Sequence, residues 1–219
     1  MSRFVVDHLF IMTSVDAPEA ARLAALGLIE GSRNVHPGQG TANRRFFFQN
    51  FMLELLWVND ENADVISEPV RRTRLLARWR DHSACPFGIC FLPEKAGTSA
   101  PFAGWPYRPE YARGTTIHVA SEAALSEPMW FYFDSLTPRQ MCAIREKEPT
   151  IHPLGVRELT SIRITVPTPP HSEPSVFAAR EQLVDFGSGS KHVAELTFDD
   201  GASGRHVDLR PGLPLVIRW

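Results

Sequence analysis

The stretch Thr41-Ala42-Asn43-Arg44-Arg45-Phe46-Phe47-Phe48-Gln49-Asn50-Phe51-Met52-Leu53-Glu54-Leu55-Leu56-Trp57-Val58 decides the fold. Aromatic and aliphatic residues crowd both halves and Asn50 sits between them, so it reads as two strong strands, Thr41–Gln49 and Phe51–Val58, tightly joined. Toward the N-terminus, Pro37-Gly38-Gln39-Gly40 is a turn and Ser32–His36 a weak strand. Pro18–Leu26 reads as a short helix, because Pro18 suits a first turn and Ala20, Leu23, Ala24 and Leu26 can face a core. Asp16 is placed to cap that helix and Gly27 to stop it. Phe4–Thr13, rich in Val, Phe and Ile, is the first strand. Residues 4–58 therefore run β-α-β-β-β.

Beyond Val58 the pattern weakens and then returns. Ser67 and Pro69 open a helix carrying Arg71, Arg72, Arg74, Arg78 and Arg80, with Val70, Leu75, Leu76 and Trp79 on its other side. A near-neutral chain favours reading those arginines as a solvated face over a nucleic-acid surface. Short strands follow at Phe87–Leu92, Phe102–Tyr107, Thr115–Ala120 and Met129–Phe133, with no helix after the first, because Pro93–Pro101 is loop-like. Thr137–Glu148 reads as a helix capped by Thr137 with Pro138 at its first position. Leu159–Val166 is again a strand and Glu173–Leu183 a helix; His192–Phe198 and Arg205–Leu209 read as a hairpin, and Leu213–Trp219 as a last strand. The expectation is one domain over residues 1–219. Its parts are a first βαβββ module (1–60), a connecting helix with an eroded second module (61–149), and a third βαβββ-like module (150–219).

Composition narrows the function classes. A chain of 219 residues, 43% hydrophobic, can bury a substantial core. Its 23 basic and 25 acidic side chains leave a net charge of −2, which gives no general grip on nucleic acid or anionic lipid. Three cysteines are too few, and odd in number, for a disulfide scaffold, so a reducing compartment, the cytoplasm, is expected. Residues 1–14 alternate apolar side chains with Arg3, Asp7 and His8, unlike a signal peptide. The densest apolar run, Phe46–Val58, is broken by Gln49, Asn50 and Glu54, so no membrane span is expected. The expected partner is a small-molecule ligand or substrate, not nucleic acid or membrane; a homodimer is compatible. Other signals fade. His192 and Glu195 are three apart, which on a strand means opposite faces. Cys85 and Cys90 lack zinc-site spacing and read as buried free thiols. Gly187-Ser188-Gly189-Ser190-Lys191 lacks the outer glycines of a phosphate loop, so no nucleotide cofactor is expected.

Asp7-His8-Leu9-Phe10 opening a strand, then Leu26-Gly27-Leu28, then Met52-Leu53-Glu54-Leu55-Leu56, is similar to the glyoxalase-like modules of the vicinal oxygen chelate superfamily. His36-Pro37-Gly38-Gln39-Gly40-Thr41-Ala42-Asn43-Arg44 resembles the segment between the second and third strands of glyoxalase-like domain proteins, as does His152-Pro153-Leu154-Gly155. The resemblance is good over 4–58, fair over 150–219 and weak between. It implies an α+β fold in which repeated βαβββ modules form open, curved mixed sheets around a concave cavity. In metal-dependent members one ligand sits on the first strand of a module and one on its fourth, and His8 and Glu54 fall on those positions. The superfamily holds glyoxalases, extradiol dioxygenases, epimerases and antibiotic-resistance transferases, along with metal-free binding proteins.

Strand alternation adds to this. Val6, His8, Phe10 and Met12 share one face, and Met52, Glu54, Leu56 and Val58 another. If the two strands are neighbours, as the resemblance implies, an imidazole and a carboxylate enter one cavity and suit a divalent metal: Zn, Fe, Mn, Co or Ni. Glu54 could instead be the catalytic base toward a C–H beside a carbonyl, and a buried His–Glu pair that only satisfies itself is the other reading. Two ligands are too few. Gly88–Leu92 offers only Cys90, and Met129–Phe133 and the third block offer no His or carboxylate on their strands, so His118 or His36 (or His152, or a second chain) would have to supply a third. On the hairpin, Asn43, Arg45 and Phe47 share one face and Arg44, Phe46 and Phe48 the other, so one arginine is expected in the cavity beside Phe10, Phe47 and Met52. With the amides of Gln39 and Asn43, that would bind a small aromatic or branched carboxylic acid; the alternative is that both arginines are rim residues. Three functional readings follow. The first is a metal-dependent lyase, isomerase or dioxygenase-type enzyme acting on a small organic acid or carbonyl compound. The second is a metal-free binding or sequestration protein using the same cavity, and the third an interaction module using the arginine helix.

Overall fold

The computed structural model describes residues 2–219, apart from the side chains of Asp64 and Ile66. The first block supplies β1 (Phe4–Met12), α1 (Ala20–Ala25), β2 (Asn34–His36), β3 (Thr41–Phe47) and β4 (Met52–Val58). Asp16 does not cap α1. It and Ala17 stand at φ 64° and 43°, turning the chain before the helix begins, and the residue at the cap position is Glu19. Gly27 does end the helix, at φ 95°, where an added Cβ would also meet the Leu154 nitrogen at 3.0 Å.

Next come α2 (Ala63–Ile66), α3 (Glu68–Thr73), α4 (Leu75–Arg80), β5 (Phe87–Pro93), β6 (Gly104–Tyr107), β7 (Ile117–Ala120), β8 (Met129–Phe133) and α5 (Pro138–Arg145). The arginine helix is broken in two, because Arg74 takes a left-handed conformation with φ 59° between α3 and α4. Nor is every arginine on a solvated face. Arg78 is buried, and its Nη1 donates to the carbonyls of Cys85, Leu125 and Glu127. The helix α5 carries the expected cap, a box in which Thr137 and Gln140 satisfy each other's end of the first turn.

The last block holds β9 (Leu159–Val166), α6 (Glu173–Arg180), β10 (Asp185–Ser188), β11 (Val193–Phe198), β12 (His206–Asp208) and β13 (Leu215–Arg218). The hairpin expected between His192–Phe198 and Arg205–Leu209 does not form. β13 lies between β11 and β12, parallel to the first and antiparallel to the second. Residues 199–205 are too long a connection to force tight pairing, and the more apolar Leu215–Arg218 takes the central place.

Eight strands form one sheet in the order β2-β3-β4-β1-β5-β8-β7-β6, and five form another, β10-β9-β11-β13-β12. The halves of the large sheet share one plan: β1 runs parallel to β4 as β5 does to β8, and the outer strands pair antiparallel. The antiparallel contact of β1 with β5 is the seam. The architecture is α+β, with open, curled mixed sheets and few helices. One face of the large sheet (Leu9, Ile11, Leu53, Leu55, Phe91, Trp130) packs with Ile162, Ile164, Leu196 and Ile217 of the small sheet into the main core. A second apolar cluster, including Phe10, Leu56, Ile117, Val119 and Phe131, covers the opposite, concave face.

Candidate active site

The concave face encloses a cavity of about 1020 Å³ including its mouth. One half of the sheet gives it polar side chains on β1 to β4. The other half gives it Ile117, Val119, Met129, Phe131 and Phe133, with Tyr107 and Tyr111 at one side. Leu136, Met141, Ile144 and Arg145, on and just before α5, close it from above.

A bulge in β1 shapes the floor. Opposite β5 the register shifts between Val6 and His8. Phe4 and Val6 therefore pack on the main core, as Leu9 and Ile11 do further along, while Asp7 and His8 both border the cavity. Val6 is thus not on the His8 face, contrary to simple alternation, and Asp7 is. The His8 Nδ1–H donates to Asp7 Oδ2 at 2.6 Å, and the Arg145 Nη2 donates to Asp7 Oδ1 and, at 3.1 Å, to the Asp7 carbonyl. All three side chains are buried. Burial opposes ionisation of Asp7, but the hydrogen bond and charge of His8, joined by those of Arg145, outweigh it and hold the carboxyl below its ordinary range. An ionised Asp7 keeps the proton on Nδ1. With Nδ1 bonded to Asp7, the Nε2 of His8 has no protein partner among the described residues.

On β4, Glu54 is buried with its Oε1 accepting from Asn43 Nδ2 at 2.5 Å. Register places Glu54 opposite Phe10 and His8 opposite Met52, so the two polar groups are diagonal neighbours on parallel strands. His36 stacks on Tyr111 with ring centroids 4.3 Å apart, and its Nδ1 lies 2.8 Å from Thr41 Oγ1. Burial lowers the pKa of His36, with Glu54 opposing and Arg45 reinforcing the shift. Burial pushes Tyr107 up to about 12.

Of the residues expected from sequence, His8, Glu54, Gln39, Asn43, Arg45, Phe10, Phe47, Met52 and His36 all border this one cavity. Arg45 is the arginine that faces it. Its side chain crosses Phe47 at 5.0 Å from the ring centroid and bonds Ser32, and it pairs with no carboxylate among the described residues. Arg44 is turned away, paired with Glu30. His118 does not join the site. It alternates with the cavity-facing Ile117 and Val119, so it lies on the other side of β7, stacked on Tyr132 and bonded to Asp134 at 2.7 Å. His152 is also elsewhere, held by Ile29 and Phe47. Strand alternation missed Asp7, because the bulge breaks it, and missed Arg145, which lies 138 residues from Asp7.

The donor set does not fit a resident divalent ion. Among the described residues the one cluster with three ligand atoms within 4.8 Å of one another is Asp7, His8 and Cys90. Both oxygens of Asp7 are already engaged by His8 and Arg145, and Cys90 is buried and does not border the cavity. His8, His36 and Glu54 do not themselves form such a cluster, and the facing strands add apolar side chains and the Tyr107 phenol but no His or carboxylate.

The profile of the Glyoxalase-like domain matches residues 6–176. A search of curated proteins by sequence finds no match. Among solved structures, a hypothetical protein from Staphylococcus aureus is similar in fold, with a TM-score of 0.58 at 9% identity, covering 98% of this chain and 99% of that one. Methylmalonyl-CoA epimerase from Streptomyces coelicolor, in complex with 2-nitronate-propionyl-CoA, gives 0.41 at 15% identity over 62% of this chain and all of its own. The Mycobacterium tuberculosis epimerase gives 0.42 at 10% identity over 63% of this chain and 91% of its own. With the profile running from β1 to α6, the chain belongs to the glyoxalase-like domain family.

Proposed function

We propose that this chain is an enzyme that binds a small organic acid or carbonyl compound in the concave cavity and moves a proton at the carbon beside the carbonyl, with His8 as base. The observation that carries this reading is the buried Asp7–His8 pair bordering the cavity, in which Nδ1 is bonded to the carboxylate and Nε2 makes no hydrogen bond among the described residues. A positioned imidazole of this kind speeds proton transfer by roughly 10²–10⁴-fold. In the step, Nε2 takes the proton of the substrate C–H. The electron pair of that bond moves into the C–C bond, and the carbonyl π pair onto oxygen, giving an enolate. Arg45, with no carboxylate partner at the mouth, suits an acidic group of the substrate, and the apolar facing wall suits an aromatic or branched body. The proton held on Nε2 is then returned to that carbon or to the enolate oxygen, regenerating the base, and Glu54, held in place by Asn43, is a second polar group beside the substrate.

The test is deuterium uptake at the carbon next to the carbonyl, followed by proton NMR in D2O, for a panel of 2-oxo and aryl-substituted carboxylic acids with chelator present. Exchange in the native protein, lost in His8→Gln while ligand-induced thermal stabilisation persists, is the expected result. Compounds that stabilise the protein but never exchange would overturn it in favour of a binding or sequestration protein. Exchange that appears only on adding a divalent cation would overturn the metal-free step.

A further inference from the structure

A second cavity, of about 680 Å³ including its mouth, lies behind the wall of Thr73, Val119 and Met129 that it shares with the first. Three arginines of the α3–α4 region border it: Arg72, Arg74 and Arg78. The Arg72 guanidinium carbon lies over the indole of Trp105, 4.5 Å from the ring centroid, and Arg74 Nη1 donates to the Ala123 carbonyl at 3.1 Å. Arg78 is 5% exposed. Its Nη1 is used on three main-chain carbonyls, its Nε is buried without a partner, and its Nη2 makes no hydrogen bond among the described residues. None of the three pairs with a carboxylate among the described residues, although nine other arginines of the chain do.

A buried guanidinium with carbonyls but no counter-charge keeps most of its desolvation cost. Arg74 adds repulsion, and burial together with that neighbour depresses the Arg78 pKa. A cavity lined by three uncompensated cations is therefore stabilised by any anion that reaches it, and a doubly charged one with several acceptor oxygens gains most. Guanidinium forks match phosphate oxygens in pairs, which a single carboxylate cannot satisfy three times over. We propose that this second cavity is a phosphate-binding site, with Arg78 as the buried charge and Arg72 and Arg74 as the outer contacts. It is independent of the proton-transfer reading. Because the two cavities share a wall, a phosphate here would sit next to, and not inside, the proposed reaction cavity.

The test is isothermal titration and thermal shift of the full chain with inorganic phosphate, pyrophosphate and adenosine monophosphate, against sodium chloride at matched ionic strength. Arg72 and Arg74 are exposed, so Arg72→Gln/Arg74→Gln should fold normally and avoids the buried Arg78. Binding above the chloride control, weakened by roughly tenfold or more in the double variant, is expected. Adenosine monophosphate binding tighter than inorganic phosphate would identify a phosphate ester as the occupant, and equal binding the free ion; both support the site. Stabilisation no greater than that by chloride, or undiminished binding in the double variant, would overturn it.

Discussion

Replacing Arg145 with Met strikes the junction on which the candidate site depends. Arg145 is 3% and Asp7 1% exposed, and one guanidinium nitrogen serves both the carboxylate and the carbonyl of Asp7. Methionine keeps much of the apolar volume, so little of the effect comes from a cavity. What remains is a buried carboxylate held by His8 alone, and breaking a buried pair in this way costs roughly 3–5 kcal/mol. In a chain of this length each kcal/mol moves the melting temperature by roughly 2–4 °C, so Arg145→Met should melt roughly 6–20 °C lower. Asp7→Asn combined with Arg145→Met removes both charges and should recover all but roughly 1–3 kcal/mol, the worth of the lost hydrogen bonds. Acid sensitivity should follow. Because Asp7 is held below its ordinary 3.8, its contribution is present above that value and lost as pH falls through the folded one, and Arg145→Met should shrink this loss. Circular dichroism with denaturant on all four species of the cycle reads the coupling. Additive single costs, or an Arg145→Met protein melting within about 2 °C of the native one, would show that the pair is not the buried, coupled unit described.

Three further outcomes follow from packing and titration. Gly88→Ala places a Cβ 2.0 Å from the Phe10 ring, pushing Phe10 into the cavity; it should cost roughly 1–3 kcal/mol, and small acids should stabilise the variant less than the native protein in thermal-shift assays. His152 accepts the Ile29 N–H at 3.0 Å and donates Nε2–H to the Phe47 carbonyl at 2.8 Å, a pattern only the neutral ring can make. Burial, only partly offset by that carbonyl, lowers its pKa from 6.5, so its contribution is full above about 6.5 and declines as pH falls from there toward the folded value. The stability difference between the native protein and His152→Asn, followed by urea unfolding from pH 8 to 5, should narrow over that interval. Glu127, also buried, accepts from Ser175 Oγ at 2.6 Å, from Ser172 Oγ, and from the nitrogens of His171 and Ser172 at the start of α6. Burial opposes its ionisation but the serine hydrogen bonds prevail, so Glu127→Gln should cost roughly 1–3 kcal/mol near neutral pH, a cost that shrinks as pH falls below 4.5.

The fold was legible where strands are long. β1, β3 and β4 each span seven residues or more and are rich in aromatic and aliphatic side chains, and their existence and order could be read directly. The second half of the large sheet follows the same pairing plan, but β6 and β7 have four residues and β8 five, too short for a period to declare itself. Its partnership with the first block rests on the β1–β5 seam, a contact across long sequence separation that no local pattern encodes. The misread β11–β12 hairpin has the same origin. Adjacency in sequence favoured pairing the two, whereas the sheet is ordered by apolar burial, which puts Leu215, Val216 and Ile217 inside and His206 and Asp208 at the edge.

The site divides along the same line. Regular alternation sufficed for Glu54, Asn43, Arg45 and Phe47, because β3 and β4 pair without a register shift. It failed at Asp7 because one extra residue in β1 reverses the parity of everything before it. Yet the sequence carried a physical warning. An aspartate inside a strand whose neighbours Val6, Leu9 and Ile11 are apolar is bound for the interior, and a buried carboxylate demands a cation and a hydrogen-bond donor. His8, next in the chain, could be the donor only if both side chains lay on one side, which an unbroken strand forbids. The bulge lets both side chains lie on one side, and Asp7's second oxygen takes its cation from a distant segment. Arg145 meets that demand through α5, so the element that closes the cavity is tied to the carboxylate that orients its imidazole. One side chain, Arg145, therefore both borders the cavity and holds Asp7, which in turn bonds His8, so Arg145→Met should loosen the α5 wall and the Asp7–His8 pair together.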